Sequence, residues 1–206
     1  MVSRSVIAAK SLDDLNEFGE IKREADLATR LRAGDMEAIE ELFYAYFERL
    51  FSFIYQDVGK NRLIAEDILQ DTFLNAIKSA RNFKGNSHVY TWLVGIAHHK
   101  ISDYYRRLKR EHRHLTLSYD DYSEDLFRVS ENSVYTENIV ESTEAKLVVE
   151  QVLQKLPLHY RQVLLLKYIE DLPMADISRI LNRSVKSVDG LLHQARKAFK
   201  YNLDKN

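Results

Sequence analysis

Leu93, Ala97, Ile101, Tyr104 and Leu108 recur at intervals of three and four residues, which commits the middle of the chain to an α-helix with one apolar side. About half a turn away stand His99, Asp103, Arg106 and Arg110, so the same helix carries a polar, largely basic stripe away from the core. From Phe83 to His114, seven Lys and Arg residues stand against Asp103 and Glu111, a local excess of five positive charges. Phosphate oxygens are attracted to such a stripe, with an affinity that falls as salt rises. Phe83, Tyr90 and Trp92 lie just before it, where ring faces can stack on unpaired bases. The same residues also fit an aromatic core followed by a solvated helix end, so the rest of the chain has to decide.

The remainder reads as helical too. Six Gly and two Pro in 206 residues argue against long loops or a β-rich sandwich, and runs of Leu, Ile, Ala, Glu, Lys and Arg favour helices. An all-α fold is expected, as one sizeable core or two small ones. With no cysteine, neither a disulfide framework nor a thiolate metal site is available. No apolar run approaches membrane-spanning length and no secretory segment opens the chain, so no membrane insertion and a cytoplasmic location are expected. The net charge of −1 says nothing about partners; its distribution does.

Residues 1–22 mix polar and apolar residues without a sustained period and read as an extension, with one short helix around Leu12 to Phe18. A helical pattern from Glu24, through Leu27 and Leu31, stops at Gly34, which suits the position after a helix end; Asp35 then suits the N-cap of the next helix. That helix, Met36 to about Tyr55, carries Phe43, Tyr44, Tyr46, Phe47, Phe51, Phe53 and Tyr55, a stripe expected in the core. A turn over Asp57 to Asn61, around Gly59, leads to a helix over Arg62 to Arg81, with Ile64, Ile68, Leu69, Phe73, Ala76 and Ile77 inward and Asp67, Gln70, Asp71 and Asn75 outward. Asn82 to His88 form a loop into the basic helix.

From Ser118 to Glu150 nine acidic residues stand against Arg128 and Lys146, and apolar periodicity is absent to about Asn138. This reads as an acidic flexible linker, so the chain divides into an extension at 1–22, a domain at 23–114, a linker at 115–138 and a second domain at 139–206. In the second domain, helices are expected over Ile139 to Lys155, Leu158 to Glu170, Met174 to Leu181 and from Val185. Asn182-Arg183-Ser184 makes the turn before the last, whose Val185, Val188, Leu192, Ala195 and Phe199 point inward. A short helix, a tight turn and a longer helix ending in basic residues is the helix-turn-helix arrangement. The last helix offers Lys186, Ser187, Asp189, Gly190, His193, Lys197 and Lys200 on its outer side.

With these segments in view, the chain resembles the sigma-70 family of RNA polymerase initiation factors, in its small extracytoplasmic-function (ECF) form. LRAGDMEAIEELF resembles the start of sigma region 2, AEDILQDTFLNAIKSARNFKG the polymerase-binding helix, and YTWLVGIAHHKISDYYRR the segment that separates strands and reads the minus-ten element. The segment from Leu156 to Phe199 is similar to sigma region 4. The resemblance implies core RNA polymerase, through its β′ clamp helices and β flap, as one partner, promoter DNA as another, an anti-sigma factor as a further candidate, and no cofactor or metal. It implies that Asp67, Gln70, Asp71 and Asn75 face the polymerase. Lys84, Asn86, Ser87, His88, Tyr90, Trp92, His99, Lys100, Asp103, Arg106, Arg107 and Arg110 would meet the minus-ten strand, with a base flipped out near Asn86, Ser87 and His88. Arg183, Ser184, Lys186, Ser187, Asp189, Gly190, His193 and Lys197 would meet the minus-thirty-five major groove. Two departures from the family's usual pattern, His99 where Asn is frequent and Asp189-Gly190 in the recognition helix, imply an altered promoter sequence. Asp189 repels phosphate but can accept from cytosine N4.

Two other readings compete. His88, His98, His99, His112 and His114 crowd one region as metal ligands would, yet adjacent histidines diverge on a helix and no H-E-x-x-H pattern completes a site. A helix-turn-helix regulator acting without polymerase is the alternative, and it would have no use for the polar face of the helix around Ala65 to Lys78.

Overall fold

The computed structural model describes residues 22–115 and 144–205, with side chains placed over 22–111 and 146–205. The short helix expected around Leu12 to Phe18 and most of the acidic linker lie outside the described residues. Within them all regular structure is helical, as composition and periodicity lead one to expect.

Helix α1 spans 22–33 and ends at Gly34, whose φ of 80° is the left-handed conformation that closes a helix at little cost only for glycine. Asp35 then caps α2 (Met36–Asp57), its carboxylate accepting from Glu37 N at 3.0 Å. Helix α3 (Arg62–Ser79) is capped in the same way by Asn61. A short 3-10 turn at Ala80–Asn82 and the loop after it lead to α4 (Val89–Leu115). These four helices enclose one apolar core, in which Leu42, Leu50, Ile54, Leu93, Val94, Ala97 and Ile101 are essentially inaccessible. The α4 positions that set its period, Leu93, Ala97 and Ile101, lie in that core.

The second set of helices begins with α5 (Glu144–Lys155). Pro157 starts α6 (Leu158–Leu164), which widens at its end into one π turn over Leu165–Ile169. Asp171 at φ 49° turns the chain back, Pro173 starts α7 (Met174–Ile180), and Asn182 at φ 50° makes the turn into α8 (Val185–Leu203). Val163, Leu165, Leu166, Ile177, Val188 and Leu192 form the centre of this half, and α8 lies across α5, α6 and α7.

Four sequence expectations change. Helix α2 runs past Tyr55 to Asp57, which is fully buried where a surface turn was expected. The aromatic stripe of α2 is only partly core: Phe53 is buried, Phe43, Phe47, Phe51 and Tyr55 form an i, i+4 ladder along the flank, and Tyr44 is exposed. Ile77 points out. Val185 is exposed as well, because it is the first residue of α8, one turn before that helix meets the core at Val188.

The two halves pack against one another, chiefly α4 on α7 and α2 on the π turn. This contact is polar as well as apolar, and no sequence pattern foreshadowed it. Asp57 accepts from Gln162 at 3.1 Å and faces Arg161 at 3.6 Å, and Arg161 donates to the Asp57 carbonyl at 2.7 Å and to the Tyr105 hydroxyl at 3.0 Å. Burial pushes the Asp57 carboxyl above its ordinary range, and the Arg161 charge pulls it back. Burial also raises the Tyr105 hydroxyl to about 12.

Candidate nucleic-acid interface

Asp67, Gln70 and Asp71 are exposed on α3, and Asn75, half-buried, donates to the Asp71 carbonyl at 2.7 Å. The face is polar because the opposite side of α3, with Ala65, Ile68, Leu69, Thr72, Phe73 and Ala76, is used up by packing. Lys100 of α4 reaches Asp71 at 3.2 Å, so the acidic face of α3 and the basic stripe of α4 meet along one edge. Between them runs a cleft of about 680 Å³, lined by Lys100, Arg106, Arg107, Lys109 and Arg110 with Asp67, Asp71 and Asp103. Its cations exceed its carboxylates, and its ion pairs are solvent-exposed and weak, so a polyanion can displace them.

Further along α4, His99, Asp103, Arg106, Arg107 and Arg110 are exposed as their period requires, and Arg106 pairs with Asp103 at 2.7 Å. His98, one residue from His99, is buried instead. Its Nδ1 has no partner, and burial, with a smaller contribution from His99, drives its pKa down to about 4, so it is neutral. Among the described residues, no group of three His, Asp or Glu side chains converges as metal ligands would.

The loop before α4 presents Lys84, Asn86 and His88 to solvent, with Ser87 half-buried and Gly85 at φ 70° making the bend. Glu24 of α1 fixes the end of this loop, accepting from Val89 N at 2.7 Å while its other oxygen meets His88 Nδ1. Glu24 lies 64 residues from His88 in sequence, and no local signal identifies it. Of the three aromatics, Trp92 is half-buried against Phe83, with ring centroids 4.9 Å apart, and Phe83 itself is core. Tyr90 is buried between the halves: its hydroxyl donates to Glu170 at 2.7 Å and the Arg49 guanidinium lies 4.0 Å over its ring. Burial, then Glu170, raises its hydroxyl pKa well beyond the ordinary range.

In the second half, Ser184 caps α8 by accepting from Ser187 N at 3.2 Å. Arg183, Lys186, Ser187, Asp189, Gly190, His193 and Lys197 are all exposed, while Val188, Leu192 and Ala195 hold the opposite side of α8 in the core. A Cβ at Gly190 would meet nothing within 4 Å, so the glycine answers no packing demand inside the chain. A helix of this exposure and capping, presented by α7 and a four-residue turn, fits a DNA major groove.

The family model for "Sigma-70 region 2" matches residues 42–111, and that for "Sigma-70, region 4" matches residues 146–199. The chain belongs to the sigma-70 family. The ECF RNA polymerase sigma factor SigW of Bacillus subtilis (strain 168) is 31% identical over 177 residues, covering 84% of this chain and 93% of SigW. The RNA polymerase sigma factor YlaC of the same organism is 28% identical, covering 82% and 94%. Among solved structures, CnrH in complex with the cytosolic domain of CnrY aligns with a TM-score of 0.62 at 23% identity, covering 89% of this chain and 98% of CnrH. RpoE from Bartonella quintana, in complex with the anti-sigma factor NepR, aligns at 0.62 and 17% identity, covering 80% and 96%. These two support the fold. As an ECF sigma factor the chain directs RNA polymerase to promoters, and among its described residues no helix is long and apolar enough to cross a membrane.

Proposed function

We propose that this sigma factor divides its work between its halves, with residues 23–114 holding core polymerase and opening the minus-ten element and residues 139–206 reading the minus-thirty-five element. The observation that carries the reading is the shared edge of α3 and α4. There Asp67, Gln70, Asp71 and Asn75 adjoin a basic cleft, so a polymerase surface docked on α3 lies beside a DNA strand drawn along α4. Lys84, Asn86, Ser87 and His88 suit a pocket for a base leaving the stack, with Trp92 at its flank. Lys100, Arg106, Arg107 and Arg110 supply phosphate contacts, and His99 and Asp103 stand where base edges are read. On α8, Lys186, His193 and Lys197 suit phosphates and Asp189 suits a cytosine amine. The β flap of the polymerase is a second docking point, and an anti-sigma partner covering these faces is a further part of the proposal. The chain supplies binding energy and no catalysis, and it acts in the cytoplasm with the polymerase.

Run-off transcription with core RNA polymerase on a genomic promoter library tests this. Initiation that depends on the chain and is lost on replacing Asp67, Gln70 and Asp71 by Ala is the expected result. A stand-alone regulator would instead bind duplex DNA tightly without polymerase and would leave initiation unchanged in that variant.

A further inference from the structure

We propose that Glu24 is a positioning residue for base choice: it fixes the His88 imidazole with its proton on Nδ1, so that Nε2 accepts from the amino group of an adenine or cytosine held in the loop. The inference deepens the reading of Lys84 to His88 as a base-holding loop and rests on it.

Glu24 reaches the loop because of where α1 is anchored. Leu27, Ala28 and Leu31 are buried in the first core, and Glu24 stands one turn before Leu27 and Ala28 on the same side of the helix. That position brings its carboxylate, half-buried, to the start of α4. The His88 carbonyl accepts from Trp92 N at 3.1 Å, which makes His88 the N-cap residue of α4. Ser, Thr, Asp or Asn at an N-cap satisfies a free N–H of the first turn with its own side chain, and histidine is not among these caps. Glu24 supplies an acceptor from another helix instead, taking the Val89 N–H at 2.7 Å, and its negative charge suits the positive end of α4. The cap holds the carboxylate in place and leaves its second oxygen for His88 Nδ1.

This second contact selects a tautomer. An ionised carboxylate only accepts, so the shared proton belongs to Nδ1, and a neutral imidazole protonated there has a bare Nε2. The His88 side chain is 64% exposed, so the ring remains accessible to a base. Adenine presents its N6 amino group and cytosine its N4 amino group where guanine and thymine present the O6 and O4 oxygens. A ring nitrogen that accepts therefore favours the first pair and sets lone pair against lone pair with the second. The other polar residues of the loop lack this fixed sense. Asn86 donates or accepts by turning its amide, the Ser87 hydroxyl rotates, and Lys84 is a point charge suited to phosphate.

Glu24→Gln separates the clamp from the cap. Its carbonyl oxygen still accepts from Val89 N, but its amide donates to Nδ1, so the proton moves to Nε2 and the ring becomes a donor toward the base. The test is run-off transcription by holoenzyme on a promoter library randomised across the minus-ten element, at pH 8, above the ordinary imidazole pKa of about 6.5. At one position the original chain should enrich adenine and cytosine and Glu24→Gln should enrich guanine and thymine, the ratio of the two classes shifting about tenfold, as one misplaced hydrogen bond supports. His88→Ala should show no preference between the classes there. A preference unchanged in Glu24→Gln, or lost without reversal as in simple damage to α4, overturns the proposal. The tautomer is read separately in the full-length chain by long-range proton–nitrogen correlation spectra at the same pH, the His88 signal being the one absent from His88→Ala. The proton should lie on Nδ1 in the original protein and on Nε2 in Glu24→Gln; a proton on Nε2 in the original protein also overturns the clamp. If the original chain starts no transcription, the promoter reading fails, and the spectra still decide the clamp.

Discussion

His98 should make the first half of this sigma factor acid-sensitive. It sits in α4 at 8% exposure with no partner for Nδ1, and burial lowers its pKa from the ordinary 6.5 to about 4. In the unfolded chain the imidazole takes up a proton near pH 6.5, whereas the folded chain resists until about pH 4. Between those values the unfolded state therefore binds more protons, and stability rises with pH. The contribution is full above pH 6.5, reduced by about 2 kcal/mol at pH 5, and reduced by about 3 kcal/mol below pH 4, from 1.36 kcal/mol for each unit of difference. Urea unfolding at pH 7.5 and pH 5.0 measures this, followed by fluorescence of Trp92, the only tryptophan and a residue of the same helix. His98→Phe retains an aromatic ring of similar size without a titrating group, and other groups contribute equally to both proteins. The wild-type protein should lose about 2 kcal/mol more than the variant between the two pH values. Equal losses would show that His98 is protonated inside the fold, and the burial argument would be wrong.

Other outcomes follow from single residues. Leu93→Ala empties a fully inaccessible site in the first core and should cost about 2 to 5 kcal/mol in the same urea experiment. Gly190→Ala should raise the helicity and thermal stability of α8 by about 1 kcal/mol, since nothing obstructs the added methyl, yet weaken minus-thirty-five binding in holoenzyme if the glycine admits DNA backbone closely. Arg110→Ala should lower the slope of log affinity against log salt for single-stranded DNA by about one and leave sequence preference intact, as a phosphate contact requires.

The sequence disclosed the helices because each buries one side at a period of three to four. It disclosed the outward residues of α3, α4 and α8 by the same logic, and Gly34, Asp35 and Ser184 mark ends through local backbone chemistry. Val185 misled because the period carries no information on where along a helix the core begins. The role of Tyr90 was only half legible: an aromatic beside a basic helix suits stacking, but its hydroxyl partner Glu170 lies 80 residues away. Arg161 and Asp57, separated by 104 positions, form their contact through tertiary packing alone. A buried Asp at the end of an aromatic helix looks like a turn residue until its partner from another element is known.

The π turn at Leu165–Ile169 sets the direction in which Glu170 points. An ordinary α-helix turns about 100° per residue, so deleting one residue from that turn would swing everything after it by over a quarter of a revolution. Glu170 would leave Arg49 and Tyr90 without any change in its own chemistry. Insertion and deletion at this one turn thus act on the orientation of α7 and α8 as substitution cannot, and a lineage could retune how its two halves face each other by changing length where the apolar face leaves composition little freedom.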